Sequence, residues 1–375
     1  MNIGFDAKRF FLNRTGLGNY SRSTLSLLHE FHPEHDYHLY TPKQGDPGAS
    51  VPCLPDLKVH LPPRPLRAAG RLWRTALLSR DLVRDGMDIF HGLSHELPLG
   101  IGKTKIRTVV TMHDLIFMRY PKLYGPANAR IYAAKYRRSC READLVIAIS
   151  EQTARDVQEF FGISGKKIRV VYQTCDAAFG RPTPAGERQR LRDAYNLPEQ
   201  YILYVGSLIE RKNCLNLLRA MARIPGSRRI PLLLVGRGGG YRDLLVRAGR
   251  DLGIEHLLRF LDTVPFRDLP GLYRQASLFV YPSRFEGFGI PILEALSSST
   301  PVITSTGSCF SEVGGDGALY IDPDRPDLLA QAMLRVLSDK ELRASLRAGA
   351  GEQIKRFSGR AVAADLMRVY RELCS

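Results

Sequence analysis

The chain has 375 residues, 44% of them apolar and 25% charged, with a formal net charge of +16 and a pI near 9.7. That length supports two domains with hydrophobic cores of their own, and that composition excludes an intrinsically disordered chain. No apolar run approaches the roughly 20 residues a membrane-spanning helix needs.

The opening "MNIGFDAKRFF" reads as a short strand and a polar turn. It lacks the basic-then-apolar layout of a signal peptide, so the expected location is the cytoplasm. Six β-rich runs follow one another through the first half: "NIGFDA", "YHLYTP", "DIFHG", "TVVTM", "LVIAIS" and "IRVVY". Helical patterns separate them at about residues 17–30, 66–84, 126–141 and 151–161. After a Pro-, Gly- and charge-rich stretch at residues 176–198, the expected interdomain linker, the alternation resumes with "YILYVG", "PLLLVG", "LLRFLD", "LFVYP", "PVITS" and "ALYID". Continuous apolar strands alternating with helices predict parallel sheets covered on both faces. The expected class is therefore α/β, with two doubly wound units: residues 1–180, residues 181–358, and a last helix at 359–375 returning toward the first unit. Ligands of such sheets bind at the carboxyl ends of the strands.

The charge is uneven. Residues 1–181 carry 27 Lys/Arg against 17 Asp/Glu, the remainder 27 against 21. This favours anionic partners such as nucleic acid, anionic lipid or phosphorylated small molecules. A plain abundance of Arg (42 against 12 Lys) explains it equally well. Cys53, Cys140, Cys175, Cys214, Cys309 and Cys374 are scattered singly, which suggests neither zinc nor disulfides but reduced structural cysteines.

The stretch "SRFEGFGIPILEALSSSTPV" carries chemistry. "LFVYPS" is a buried strand and Pro291 opens a helix, so "FEGFG" is a strand-to-helix turn. Gly287 and Gly289 let backbone approach a ligand, and the helix terminus favours negative charge. Glu294 has an ordinary reading as a first-turn dipole partner; Glu286 has none as good. Two carboxylates beside glycine amides suit sugar or ribose hydroxyls with a phosphate alongside. In "YVGSLIERKN", Arg211 and Lys212 precede a helix with Asn213 as expected N-cap; two adjacent cations there suit a diphosphate or form a solvated basic turn. "LLLVGRGGG" is a weak dinucleotide-type turn, with Asp262 in the place of the acidic partner of an NAD site. In the first half, Gly16 and Gly18 lead into a helix. His113 and Asp114 end one strand; His91, with His95 close by, ends its neighbour. Each histidine reads either as a buried structural residue or as a ligand contact. Asp322 and Asp324 have the spacing of a metal site but lead into a helix and are expected to cap it.

These pieces together resemble the retaining glycosyltransferases of family 4, formerly group 1, over nearly the whole chain. The resemblance is strongest in "YVGSLIERKN", "LFVYPSRFEGFGIPILEALSSSTPVITS", "SEVGGDGALYIDP" and "RFSGRAVAADLMRVYREL". It implies a GT-B fold of two facing Rossmann-like domains, the acceptor in the first and a nucleotide-sugar donor in the second. It further implies that Glu286 lies by the donor sugar with Phe288, Gly289 and Ile290, that Glu294 holds the ribose, and that Arg211 and Lys212 hold the diphosphate near Gly206 and Ser207. Val264 would lie near the base, Gly16 and Gly18 near the phosphates, and His113 near the donor sugar. His91 and Asp114 are the acceptor candidates. The implied reaction is front-face transfer with retention, without metal or cofactor. "QTCD" and "SSSTPV" depart from the family's usual hinge and small-residue run.

"GLGNYSR" and "HDLIFMRYP" look most like bacterial mannosyltransferases of cell-surface polysaccharide assembly, which makes GDP-mannose the first expected donor and a UDP-sugar the second. The basic first half suits a saccharide or lipid-diphosphate-linked acceptor, and "RPLRAAGRLWRTALLSRDL" suits either an anionic membrane surface or a plain surface helix. The rival readings are a sugar-nucleotide epimerase of the same fold and a basic nucleic-acid-binding protein. The epimerase lacks a second catalytic carboxylate in the first half, and the nucleic-acid binder lacks a recognisable motif.

Overall fold

The computed structural model describes residues 1–45 and 57–375. The chain divides into two compact units, Met1–Thr174 with Ser358–Ser375, and Cys175–Phe357. Among its described residues the first contains seven strands: β1 (Asn2–Asp6), β2 (Asp36–Tyr40), β3 (Lys58–His60), β4 (Ile89–Gly92), β5 (Arg107–Met112), β6 (Leu145–Ala148) and β7 (Ile168–Val170). All pair in parallel, in the order β3-β2-β1-β4-β5-β6-β7. β3 escaped the pattern reading because it is an edge strand of three residues with two exposed positions, so no apolar run marks it.

The second unit contains β8 (Ile202–Val205), β9 (Leu232–Val235), β10 (Leu258–Leu261), β11 (Leu278–Tyr281), β12 (Val302–Ser305) and β13 (Ala318–Ile321). They too are parallel, in the order β10-β9-β8-β11-β12-β13. In both sheets the order reverses beside the first strand, between β1 and β4 and between β8 and β11. That reversal opens a crevice at the carboxyl ends, where loops leave in opposite directions. Leu203, Leu234, Phe279 and Ile303 are fully buried, as strands covered by helices on both faces require.

Two expectations change. Residues 176–198 are not a linker, because they pack into the second unit. Phe179 is fully buried against Phe266 and Tyr273, and the helix Glu187–Tyr195 buries Leu191, whose Cδ1 would stand 2.2 Å from a Cβ on Gly271. The first unit therefore ends at Thr174 and not at 180. Residues 66–84 are not one helix either: a 3-10 turn at Arg64–Leu66 is followed by Gly70–Leu72, a π-helical turn at Trp73–Leu77 and a helix at Leu78–Arg84. Trp73 and Leu82 are buried there while Leu72 is 58% exposed.

The last helix, Gly359–Cys374, belongs to the first unit. Ser358 caps it by accepting from the Ala361 N–H, and Val362, Leu366, Met367 and Tyr370 are buried. It packs on the helix Gly16–Phe31, so closely at its start that a Cβ on Gly359 would stand 2.6 Å from Leu27. Among the described residues no helix is long and apolar enough to cross a membrane. Cys140, Cys175, Cys214, Cys309 and Cys374 are free thiols; Cys53 lies outside the described residues.

Candidate active site

The loops leaving β8 and β11 meet at the crevice of the second sheet. After β8 the chain passes Gly206, whose positive φ of 152° favours glycine, hard against Gly236, where a Cβ would lie 2.0 Å from the Gly206 carbonyl oxygen. The glycine-rich turn after β9 thus packs the phosphate-type loop. Asp262, its supposed NAD partner, is instead ion-paired to Arg242 at 2.9 Å. Ser207 follows, and the 3-10 turn Glu210–Lys212 carries the two cations. Asn213 does not cap the next helix with its side chain. It adopts a left-handed φ of 61° and its amide donates to the carbonyls of Pro282 (3.2 Å) and Pro323 (2.7 Å), tying the turn to the end of β11.

Glu286 stands at the centre of what results. Its Oε1 accepts from Ser283 (2.6 Å), Lys212 Nζ (2.5 Å) and the Tyr281 hydroxyl (3.2 Å), and Arg211 Nη1 lies 2.8 Å from the same oxygen. Each of the three charged side chains is only 10–12% exposed. Burial alone would raise the Glu286 carboxyl, but the Lys212 and Arg211 cations overcome it and hold it below the usual range. Burial also draws the Lys212 ammonium down, against the pull of Glu286. Lys212 Nζ additionally sits 5.0 Å from the centre of the Tyr281 ring. The three charges sum to +1, and Oε2 takes none of these bonds.

The turn is clamped from behind by the loop after β12. Ser308 Oγ accepts from the Glu286 N–H (3.1 Å) and donates to the Glu286 carbonyl (2.9 Å), although Ser308 itself has a left-handed φ of 49°. The Cys309 thiol donates to the carbonyls of Glu286 (3.3 Å) and Phe288 (2.9 Å). Sequence pattern gave no hint of either residue. Phe288 is buried against Phe357, and Gly289, with φ 96°, starts the helix Ile290–Ser297. Val264 is half-buried in the loop after β10.

Glu294 is not a first-turn dipole partner, for it lies beyond the first turn of that helix. It is partly buried, accepts from the Tyr273 hydroxyl at 2.7 Å, and burial pushes its carboxyl up to about 7. Asp322 and Asp324 do not cap the helix Pro326–Ser338, whose N-cap is Arg325. Asp322 instead closes a turn onto the Asp324 N–H (2.8 Å), and Asp324 pairs with Arg284. Among the described residues no cluster of His, Cys, Asp and Glu is arranged to hold a metal.

In the first unit, His113 follows β5. Its Nε2–H donates to the Leu93 carbonyl (2.8 Å), its N–H donates to His95 Nε2 (3.1 Å), and burial lowers its pKa to about 4. A neutral ring whose Nε2 carries the proton offers Nδ1 as an acceptor, so it accepts a hydrogen bond from a hydroxyl partner and donates none from that nitrogen to an oxyanion. Tyr20 and His95 pack edge-on against it at 4.6 and 5.0 Å. His91 is removed from the ligand contacts: it is fully buried and both nitrogens are engaged, by Tyr370 and Thr111 at 2.7 Å each. Asp114 Oδ1 accepts from the Ile116 N–H (3.1 Å) to start a short helix. Gly18 is structural, since a Cβ would lie 1.9 Å from the Asn13 carbonyl oxygen and its N–H already meets Thr15 and Asn13. Among the described residues nothing stands within 4 Å of a Cβ placed on Gly16.

Residues 187–353 match the family described as glycosyl transferases group 1, and residues 20–179 match glycosyltransferase family 4. O-antigen chain mannosyltransferase B of Escherichia coli is 32% identical over 295 residues, covering 78% of this chain and 76% of that protein. The chain is a group 1, family 4 glycosyltransferase. Serotype-specific mannosyltransferase WbdA of Escherichia coli is 28% identical over 275 residues, and the match takes in 72% of this chain but 34% of WbdA. Anabaena HepE, solved in complex with UDP, superposes with a TM-score of 0.78 at 18% identity, over 99% of this chain and 100% of that one. This glycosyltransferase therefore has the GT-B fold, built from two Rossmann-like units.

Proposed function

We propose that this glycosyltransferase moves a hexose from a nucleotide-sugar to a hydroxyl of a saccharide or lipid-linked saccharide in cell-surface polysaccharide synthesis, with retention at the anomeric carbon. The convergence of Arg211 and Lys212 on Glu286 at the β8/β11 crevice carries this reading. Two cations balanced by one carboxylate present a net positive charge in a mostly buried site. That charge stabilises a departing diphosphate in a low-dielectric setting, where it counts for more than in water. The bond from the anomeric carbon to the phosphate oxygen breaks while the bond to the acceptor oxygen forms on the same face. The acceptor proton passes to the leaving phosphate oxygen. Glu286 orients both cations through Oε1 and offers Oε2 to a sugar hydroxyl; Glu294 accepts from the ribose. His113, neutral, accepts from a hydroxyl of the donor sugar. No metal is needed in this scheme because Arg211 and Lys212 supply the charge.

The mannosyltransferase relatives favour GDP-mannose, with a UDP-sugar second. Calorimetric titration with GDP-mannose, UDP-glucose and UDP-N-acetylglucosamine tests the reading. One donor is expected to bind, and Arg211→Ala to weaken it by about tenfold or more, the worth of a charge-assisted contact. If no donor binds the wild-type chain, the reading fails. Exposed Arg64, Arg67, Arg71 and Leu72 form a basic and apolar edge suited to an anionic membrane surface, which we include in the proposal. Sedimentation with phosphatidylglycerol vesicles checks that part.

A further inference from the structure

We propose that a cavity of about 190 Å³ in the first unit receives one hexose ring of the acceptor, with Glu96 and Lys135 as the pair that binds its hydroxyls. This rests on the glycosyl-transfer reading above. The cavity lies where the first sheet reverses: Asp6 ends β1, and Glu96 follows β4. Leu78, Phe90 and Leu97 contribute apolar lining. At this volume it is smaller than the ~300 Å³ at which sites for drug-sized ligands begin, and so suits a single ring.

One wall is a buried charge cluster. Arg74 reaches Asp6 Oδ2 at 2.6 Å and Glu96 Oε2 at 3.1 Å, with its side chain 10% exposed. It arrives there from the π-helical turn Trp73–Leu77, a rare local geometry that re-aims side chains and recurs at functional sites. Buried ion pairs contribute little net stability compared with apolar packing of the same volume. Here the cluster has a further consequence, which is to immobilise Glu96. With Oε2 held by Arg74, Oε1 stands 3.9 Å from Lys135 Nζ, too far for a hydrogen bond. A hydroxyl oxygen set to one side of the pair, about 2.8 Å from each, donates to the carboxylate and accepts from the ammonium, satisfying both at once. A lining that combines Glu96 and Lys135 with Leu78, Phe90 and Leu97 matches a pyranose, whose hydroxyls lie around its rim and whose C–H groups form its faces. The acceptor contacts thus fall to Glu96 and Lys135, and not to His91, whose nitrogens are occupied.

The test uses the full chain with GDP or UDP present and three probes: methyl α-mannopyranoside, methyl α-glucopyranoside and N-acetylglucosamine. Saturation-transfer NMR reads binding. At least one probe is expected to receive saturation from the wild-type chain, and Glu96→Gln and Lys135→Met each to raise its Kd by about tenfold or more. Lys135 is 44% exposed, so its replacement leaves the fold intact even if Glu96→Gln disturbs Arg74. Absence of transfer from all three probes, or unchanged affinity in both variants, overturns the assignment. Nucleotide-sugar binding, measured on the same proteins without GDP or UDP, is expected to be the same in both variants as in the wild type. Absence of nucleotide-sugar binding by wild-type protein that still binds a probe would sink the donor reading and leave this subsite standing.

Discussion

Substituting Glu294 by Gln removes the one carboxyl in the proposed donor site that is half-ionised at neutral pH. Its pKa is raised from 4.5 to about 7 by burial. A ribose that donates hydrogen bonds to this group favours the ionised form, so binding must expel whatever proton the free enzyme carries. With a free-state pKa of about 7, the group is ~90% protonated at pH 6, ~50% at pH 7 and ~3% at pH 8.5. Should the bound pKa fall below about 5, nucleotide-sugar binding releases ~0.8 to 0.9 proton at pH 6, ~0.5 at pH 7 and almost none at pH 8.5. The assay is calorimetry of the same titration in buffers of differing ionisation enthalpy, where the slope of observed enthalpy against buffer enthalpy counts the protons. A nucleotide-sugar suits this better than a free nucleoside diphosphate, whose terminal phosphate itself titrates near neutrality. The Glu294→Gln protein should show no release at any pH. Equal proton release in wild type and variant, or none in the wild type at pH 6, would refute the placement of Glu294 at the ribose. The same shift acts on stability: a carboxyl whose pKa is raised by folding stabilises nothing extra below pH 4.5 and costs progressively more as pH rises to 7, up to about 3 kcal/mol. The stability gap between wild type and Glu294→Gln should therefore move in favour of the variant over that window.

Glu286→Gln strips the shared counter-charge from Arg211 and Lys212 while keeping the side chain's shape. Denaturant unfolding should show a loss of about 3 kcal/mol or more, the cost of breaking a buried pair by removing one partner, and turnover should fall by ~100-fold. Ser308→Ala deletes both hydrogen bonds to the Glu286 backbone, worth about 2 kcal/mol together. Ser308→Gly should cost less, because glycine relaxes the left-handed φ; equal stabilities would show that the backbone there is unstrained. Tyr370→Phe leaves His91 Nδ1 buried without a partner, at about 1–3 kcal/mol, and amide exchange in the helix Gly359–Cys374 should accelerate. Burial lowers His91 to about 3 and His113 to about 4, so on acidification the unfolded chain takes up protons first. Stability should decline from about pH 6.5 downward, by up to ~1.4 kcal/mol per pH unit for each histidine, until pH passes the folded-state values. In the Glu294→Gln background, which removes the carboxyl of opposite slope, a flat profile between pH 6.5 and 4.5 would contradict their burial as neutral rings.

Much of this was legible in the chain itself. Apolar runs such as "PLLLVG" and "LFVYPS" mark doubly covered parallel strands because burial on both faces writes itself into consecutive residues. The turns after β8 and β11 were visible as Arg-Lys and Glu-Gly-Phe-Gly, because glycines and charges beside a strand end are local signals. What the local pattern does not contain is partnership across the fold. That Lys212 and Arg211 join the nearby Ser283 and Tyr281 on one oxygen of Glu286 depends on β8 and β11 being neighbours, which brings the two cations to a carboxylate more than 70 positions away. Glu294 reads as a helix-dipole residue until Tyr273 is brought beside it. His91 and His113 look alike in sequence, each at a strand end. Only packing separates them, by closing Tyr370 and Thr111 over one while the other keeps an acceptor nitrogen. The π-helical turn that delivers Arg74 to Asp6 and Glu96 is likewise invisible in the periodicity of residues 66–84. Periodicity records which faces are buried. Which charges share that burial is decided by topology.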